Sequence, residues 1–318
     1  MTLAEIRLAL LRRARRPGRI GALLAGAALK VAPHGSGDLE VQLWGRRLRL
    51  PAYHHLPFIV GNNPFCFMPL VHCAAALDDP TYPTLTVVDV GANVGDSAVL
   101  IESHLPGRCK FVCIEPNTEW IPYLKSNTSG LPIEIIPRFL GEGQLLAVKP
   151  RDPGSATSKV TETGDRSLPL DEICDGRKVD LIKVITEGFD FPILRSGSRT
   201  LSSSRPALYF EWHPALWREQ GEEPEGIFDW LAKFGYKDFC FFSDGGFFYC
   251  RTTCKQAETI RSLIAAADCR RGVDRLFWDV LAASPEVCDR AIRHNVIAAQ
   301  KLGTEVRFWN RLQPTYWQ

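Results

Sequence analysis

The chain has 318 residues, enough for one large or two modest domains. Its composition, 45% hydrophobic and 23% charged, is that of an ordinary soluble globular protein. A formal charge of +2 argues against a dedicated nucleic-acid binder.

That charge is uneven. Residues 1–30 hold Arg7, Arg12, Arg13, Arg15, Arg16, Arg19 and Lys30 against Glu5 alone, a local +6 that leaves −4 for the remainder. Leu3, Ile6, Leu10, Leu11 and Ala14 share one face of a helical wheel, with most of the arginines opposite. Such a basic amphipathic helix could lie on an anionic membrane surface, dock on a partner, or pack as a solvated helix on its own domain. Ile20–Leu29 follows basic residues as in a secretory signal, and it is too short to span a bilayer. Ten cysteines form no disulfide framework, and Cys250-x-x-x-Cys254 lacks a matching Cys or His pair, so no metal site is expected. Cys113 and Cys240 sit in apolar runs as small hydrophobes. Reduced thiols predict a cytoplasmic protein.

Residues 31–83 are rich in proline, glycine and histidine and show little periodicity. Leu39–Leu50 alternates enough for a strand, or for a hairpin with Gly45 as its turn. His54, His55 and His72 read as surface or packing histidines, since no carboxylate or cysteine is spaced with them as a metal partner. Leu85–Val90 is a short β-branched run, too short for a helix. Gly91, Ala92 and Gly95 then remove bulk where the chain must turn, and Ser97–Ile101 begins a helix. In an open parallel sheet, ligands sit at the carboxyl ends of such strands. The spacing here is Asp-x-Gly-x-x-x-Gly, with Asn93 where a dinucleotide site would carry its second glycine. Asp89, just before the turn, suits a cationic ligand group better than a phosphate. S-adenosylmethionine carries an ammonium and a sulfonium and no phosphate. A nicotinamide-dependent oxidoreductase is disfavoured by the same spacing.

Lys110–Glu115 is a second strand, and Glu115 follows Gly95 by twenty positions, where open α/β nucleotide binders place the acid that takes the ribose hydroxyls. Trp120–Asn127 is a helix and Ile133–Pro137 a third strand, with Arg138–Glu142 at its carboxyl end. Residues 149–168 predict a loop over the site. Val179–Ile185 is a fourth strand, followed by Thr186-Glu187-Gly188-Phe189-Asp190. Phe191–Leu201 is helical. Pro206–Trp212 is a fifth strand, ending in Glu211-Trp212-His213-Pro214. Ile227–Phe234 is a helix, Lys237–Tyr249 a hairpin around Ser243–Gly246, Ala257–Ala267 a helix, and Arg275–Leu281 a short strand or turn.

The ordered set Val88–Asp96, Glu115-Pro116, Leu170-Asp171-Glu172, Ile182-Lys183, Thr186–Asp190, Leu194, Gly197, Arg205-Pro206 and Glu211 resembles the FkbM-type methyltransferases over roughly residues 84–214. The resemblance implies an α/β class I methyltransferase (Rossmann-like) fold. That fold is a seven-stranded, mostly parallel sheet with helices on both faces and a C-terminal antiparallel hairpin. It would occupy residues 84–284, after an N-terminal basic helix and lead-in over 1–83 and before a helical tail over 285–318. It also implies S-adenosylmethionine-dependent O-methylation of a sugar, glycan or polyketide-type hydroxyl, with no nucleic-acid partner. By carry-over, Asp89, Gly91, Asn93 and Gly95 would hold the methionine end and Glu115 the ribose, with Asp96 and Pro116 beside them. The family usually reads Ile-Lys-Ile-Asp-x-Glu-Gly after the fourth strand. Here Ile185 replaces the acid. A general base would then come from Glu187, Asp190, Glu211 or His213; His213 has the most suitable ordinary pKa, although it could equally cap the turn before Pro214. A non-catalytic relative that binds cofactor or a glycan is the alternative that Ile185 motivates.

Overall fold

The computed structural model describes Ile6 and residues 37–81, 84–150, 158–269 and 276–309. The expected basic helix and the Ile20–Leu29 run lie outside these residues, Ile6 excepted. So do residues 151–157 of the expected loop and the last nine residues of the tail.

The lead-in opens with β1 (Asp38–Leu43) and β2 (Arg46–Pro51), joined through Trp44 (φ 51°) and Gly45 (φ 73°). Two successive left-handed residues make the turn whose twist suits a tight antiparallel hairpin. Helices α1 (Leu56–Asn62) and α2 (Met68–Leu77) follow. Sequence periodicity does not reveal α2 because the helix is buried nearly all round. Leu70, Val71, His72, Cys73, Ala74 and Ala76 are all inside, so it has no polar stripe.

The main unit then alternates strand and helix: β3 (Leu85–Val90), α3 (Asp96–His104), β4 (Cys109–Ile114), α4 (Ile121–Asn127), β5 (Ile133–Ile136). Next come β6 (Leu145–Pro150) and β7 (Ser158–Arg166), a separate two-stranded sheet; β7 and the last two residues of β6 stand where the 149–168 loop was expected. The chain continues through α5 (Leu170–Cys174), β8 (Leu181–Val184), α6 (Asp190–Arg195), α7 (Ser198–Ser203), β9 (Ala207–Trp212), α8 (Pro214–Glu219), α9 (Gly226–Ala232), β10 (Asp238–Ser243), β11 (Phe248–Thr253), α10 (Ala257–Cys269), β12 (Trp278–Ala283) and α11 (Pro285–Trp309). The single helix expected over Phe191–Leu201 is therefore two short ones, broken at Ser196-Gly197.

The large sheet has the order β11-β10-β12-β9-β8-β3-β4-β5. Strands β5, β4, β3, β8 and β9 are mutually parallel, and β12 inserts antiparallel between β9 and β10. This is the class I methyltransferase architecture, with the second hairpin strand, β11, adding an eighth at the edge. Alternate residues sort to two cores. Val88, Val90, Ile182, Val184, Leu208 and Phe210 face α5–α7, α9 and α10. Leu85, Val87, Leu181, Ala207, Tyr209 and Leu281 face α2, α3 and α11. The lead-in hairpin closes a third cluster over Val94, Val99 and Trp120. The chain winds from β3 outward to β5, then returns to β8 on the other side of β3. Strand order therefore reverses between β3 and β8, the crevice where such sheets bind ligands.

Candidate active site

A cavity of about 400 Å³ opens at that crevice. The carboxyl ends of β3, β4, β8 and β9 supply Gly91, Glu115, Ile185 and Glu211. The lead-in supplies His54, His55 and Ile59, and β6 supplies Leu146 and Val148.

The floor is set by strand register. Asp89 on β3 stands opposite Lys183 on β8, and Lys183 opposite Tyr209 on β9. All three point to the α2–α3 face. Asp89 Oδ1 lies 2.9 Å from Lys183 Nζ, with side-chain exposures of 2% and 5%. Burial pulls the Lys183 ammonium down, but Asp89 outweighs it and its pKa stands above the ordinary lysine value. Nζ also donates to the Gly91 carbonyl at 2.9 Å. The lysine therefore ties the strand end to the turn beyond it. Asp89 is not among the residues that line the cavity; its Oδ1 is paired with Lys183 in a buried ion pair. In this arrangement Asp89 supports the bend at the tip of β3 through Lys183.

Gly91 has φ 79°, and a Cβ there would lie 2.1 Å from the Ile185 carbonyl oxygen. Gly95, at φ 85°, would meet Thr128 and Leu124 at 2.7 and 2.8 Å. Gly91 lines the cavity and Gly95 does not; both are needed for close packing of the protein's own chain. Asn93 also has positive φ, 48°. Its N–H donates to Glu115 Oε2 at 2.8 Å, and the Asn117 N–H donates to Glu115 Oε1 at 2.8 Å. Glu115 is 6% exposed, and burial lifts its pKa to about 7 against the pull of those two donors. Asp96, in the first turn of α3, is lifted to about 6 by burial, offset in part by Lys183. Asn93, Asp96, Glu115 and Pro116 all line the cavity.

The four expected base candidates divide. Glu187 (φ 56°) and Glu211 line the cavity. Burial, then Asp190, Glu187 and Asp279, push the Glu211 carboxyl well above the usual range. His213 and Asp190 do not reach the cavity. His213 caps α8, its Nδ1 accepting from Leu216 N–H at 3.3 Å, and its ring stacks on Phe277. Asp190 is fully buried at the start of α6, and its Oδ2 accepts from Thr186 Oγ1 and Gly188 N–H, each at 3.3 Å.

Sequence reasoning missed two cavity residues. Asp279 on β12 is the antiparallel partner of Glu211. Tyr209 Oη donates to its Oδ2 at 2.8 Å, and burial lifts its pKa to about 7. The chain beyond α10 carried no recognised motif, and only the sheet register brings β12 to this place. His54 was read as packing; its Nε2 lies 3.0 Å from Asn93 Oδ1.

Asp96, Glu115, Asp190 and Asp279 hold their protons to higher pH folded than unfolded. Each therefore contributes stability that is full below about pH 4 and is lost as pH rises toward 6–7. The melting temperature of the ligand-free protein should fall from pH 5 to pH 8. A flat or rising profile contradicts this.

Residues 89–237 match the model of the Methyltransferase FkbM domain. Over this stretch, a little under half of the chain, the sequence is similar to the FkbM methyltransferases. The FkbM stretch runs from the end of β3 to just past α9, so it includes Glu115, Glu187 and Glu211 but neither His54 nor Asp279. No curated protein matches the chain. Among solved structures, the plantazolicin methyltransferase BamL, in complex with a triazolic desmethylPZN analog and SAH, is 10% identical. It covers 71% of this chain and 88% of its own, with a TM-score of 0.40. The precorrin-6y C5,15-methyltransferase of Geobacter metallireducens GS-15 is 10% identical over 67% of this chain and 86% of its own, at 0.35. The human methyltransferase 10 domain containing protein is 10% identical over 69% and 82%, at 0.36. Likeness of this degree adds nothing to what the strand order says of the fold.

Among the described residues no group of side chains is arranged to hold a metal ion, and no helix is long and apolar enough to cross a membrane. All ten cysteines are free thiols.

Proposed function

We propose that this protein is an FkbM-type methyltransferase that uses S-adenosylmethionine to methylate a hydroxyl of a small-molecule or glycan acceptor. One observation carries the cofactor reading. Glu115 stands at the carboxyl end of β4, on the cavity wall, with one backbone N–H on each oxygen. A carboxylate offers about four acceptor positions, so two remain for a vicinal diol such as a ribose. Gly91, Asn93, Asp96 and Pro116 would frame the rest of the donor. The Asp96 carboxylate and the carbonyl oxygens around it suit an ammonium and a sulfonium.

When bound, S-adenosylmethionine supplies a methyl group already activated for displacement. The chain's part is to align the acceptor oxygen, worth up to about 7–11 kcal/mol in ideal cases, and to take its proton. Asp279 is the best-matched base: it lines the cavity and its pKa is about 7. Tyr209 occupies Oδ2, so Oδ1 receives the proton. Glu211, the strand partner of Asp279, and Glu187 line the cavity beside it. Asp279→Asn should lower turnover about 10²–10⁴-fold, abolish the pH-rate limb near 7, and leave affinity for S-adenosylhomocysteine unchanged. Labelled-methyl transfer to a panel of glycosides, lipid-linked glycans and hydroxylated metabolites measures this. Full activity of the variant removes Asp279 from the chemistry.

A second reading, a non-catalytic relative, is favoured by Ile185, which lines the cavity where the family carries an acid. Ile185→Asp separates the two. It should lower turnover if Asp279 is the base, because a further carboxylate beside Glu211 raises the neighbouring pKa values. It should create turnover from none if the site has decayed. The basic segment over residues 1–30 is the proposed point of contact with an anionic membrane surface in a cytoplasmic protein.

A further inference from the structure

We infer that His54, which precedes the FkbM stretch, positions the cofactor cradle, so that the lead-in is part of the cofactor site. The inference rests on the S-adenosylmethionine reading above.

The connection is a chain of hydrogen bonds. The Leu56 N–H donates to His54 Nδ1 at 3.1 Å. With Nδ1 an acceptor, the ring proton sits on Nε2 and donates to Asn93 Oδ1 at 3.0 Å. Asn93 holds a left-handed backbone conformation, from which its own N–H reaches Glu115 Oε2 at 2.8 Å. The imidazole is thus two residues removed from the carboxylate that takes the ribose. It is 6% exposed and stands edge-on to Trp120, with centroids 5.5 Å apart. Tyr53 packs on the same indole and donates to Glu119, two residues past Asn117, the second donor to Glu115. Both N–H groups on Glu115 are therefore braced from the lead-in, one through His54 and one through Tyr53 and the 117–120 turn.

A buried imidazole is a costly way to fill space unless both nitrogens are used. Here one nitrogen shapes the 54–56 turn and the other fixes the Asn93 carboxamide. Released, that carboxamide could turn toward Glu115 and compete for its lone pairs. His54 acts through Asn93 and is a positioning residue.

The two nitrogens can be tested separately in the full chain by calorimetry with S-adenosylhomocysteine. His54→Gln keeps an amide donor near the place of Nε2 and should bind close to wild type. His54→Asn keeps an acceptor near Nδ1 but cannot reach Asn93, and should bind about tenfold more weakly, as should His54→Ala. Melting temperatures identify any variant that fails to fold. Asn93→Gly, which keeps the positive φ, provides an independent check. The double variant with His54→Ala should be no weaker than the weaker single one. Wild-type affinity in both His54→Asn and His54→Ala, or losses that multiply in the double variant, overturn the inference alone. Failure of the wild-type protein to bind S-adenosylhomocysteine overturns the cofactor reading and the inference with it.

Discussion

Replacement of Glu115 with alanine is expected to weaken S-adenosylhomocysteine binding about 10²–10⁴-fold, the consequence of losing two hydrogen bonds to a charged acceptor at roughly 1.5–3 kcal/mol each. The carboxylate also holds the Asn93 and Asn117 N–H groups, so the alanine variant frees both sides of the cradle. Water can enter from the cavity to satisfy those donors, and the fold should survive with a small drop in melting temperature. Glu115→Gln should recover little, because its amide nitrogen would confront one of the two backbone N–H groups. The pH dependence follows from the same group. The empty protein keeps Glu115 protonated to about 7, whereas ribose hydroxyls favour the ionised form. Affinity should rise from pH 6 to pH 8, with proton release on binding below 7. Calorimetry in buffers of different ionisation enthalpy reads this directly. Unchanged affinity in Glu115→Ala removes the residue from the site.

Lys183→Met should destabilise the protein by about 3–5 kcal/mol, the usual cost of leaving one member of a buried ion pair alone. Asp89 would remain 1% exposed, with its charge uncompensated. The Gly91 carbonyl would lose its donor at the same time, loosening the bend at the tip of β3. Removing both charges in Asp89→Asn/Lys183→Met should restore a large part of the loss, since the penalty lies in the unpaired charge rather than in a missing attraction. Denaturant unfolding of the two single variants and the double one measures the coupling. A Lys183→Met protein within 1 kcal/mol of wild type would mean that Asp89 is not held as a buried carboxylate.

The β3 strand, its glycine bend and Glu115 were legible because they are local. A β-branched run, a turn that needs positive φ and an acid at fixed spacing all lie within thirty residues. The helix α2 left no signal because almost every face of it is buried. His54 and Asp279 were illegible for another reason. Their partners, Asn93 and Tyr209, lie 39 and 70 positions away, and only folding brings them together. For His213 the sequence left a base and a cap before Pro214 equally open; the proline starts a helix that the imidazole caps. Asp190 misled: its place in the motif is at the site, but its side chain turns into the protein. Gly91 was read as a place where the chain must turn, and the turn is so close that the Ile185 carbonyl oxygen lies where a Cβ would stand.

The central claim is that a positively charged methyl donor is cradled at the tip of β3, with its ribose on Glu115. A crystal structure with S-adenosylhomocysteine tests it most directly. The account predicts the ribose hydroxyls on the Glu115 carboxylate, the sulfur end beside Gly91 and Asn93, and the open side of the sulfur facing Ile185, Glu211 and Asp279. Density for the ligand in any other part of the molecule, or a Glu115 that keeps only its two backbone donors with the ligand bound, would contradict it.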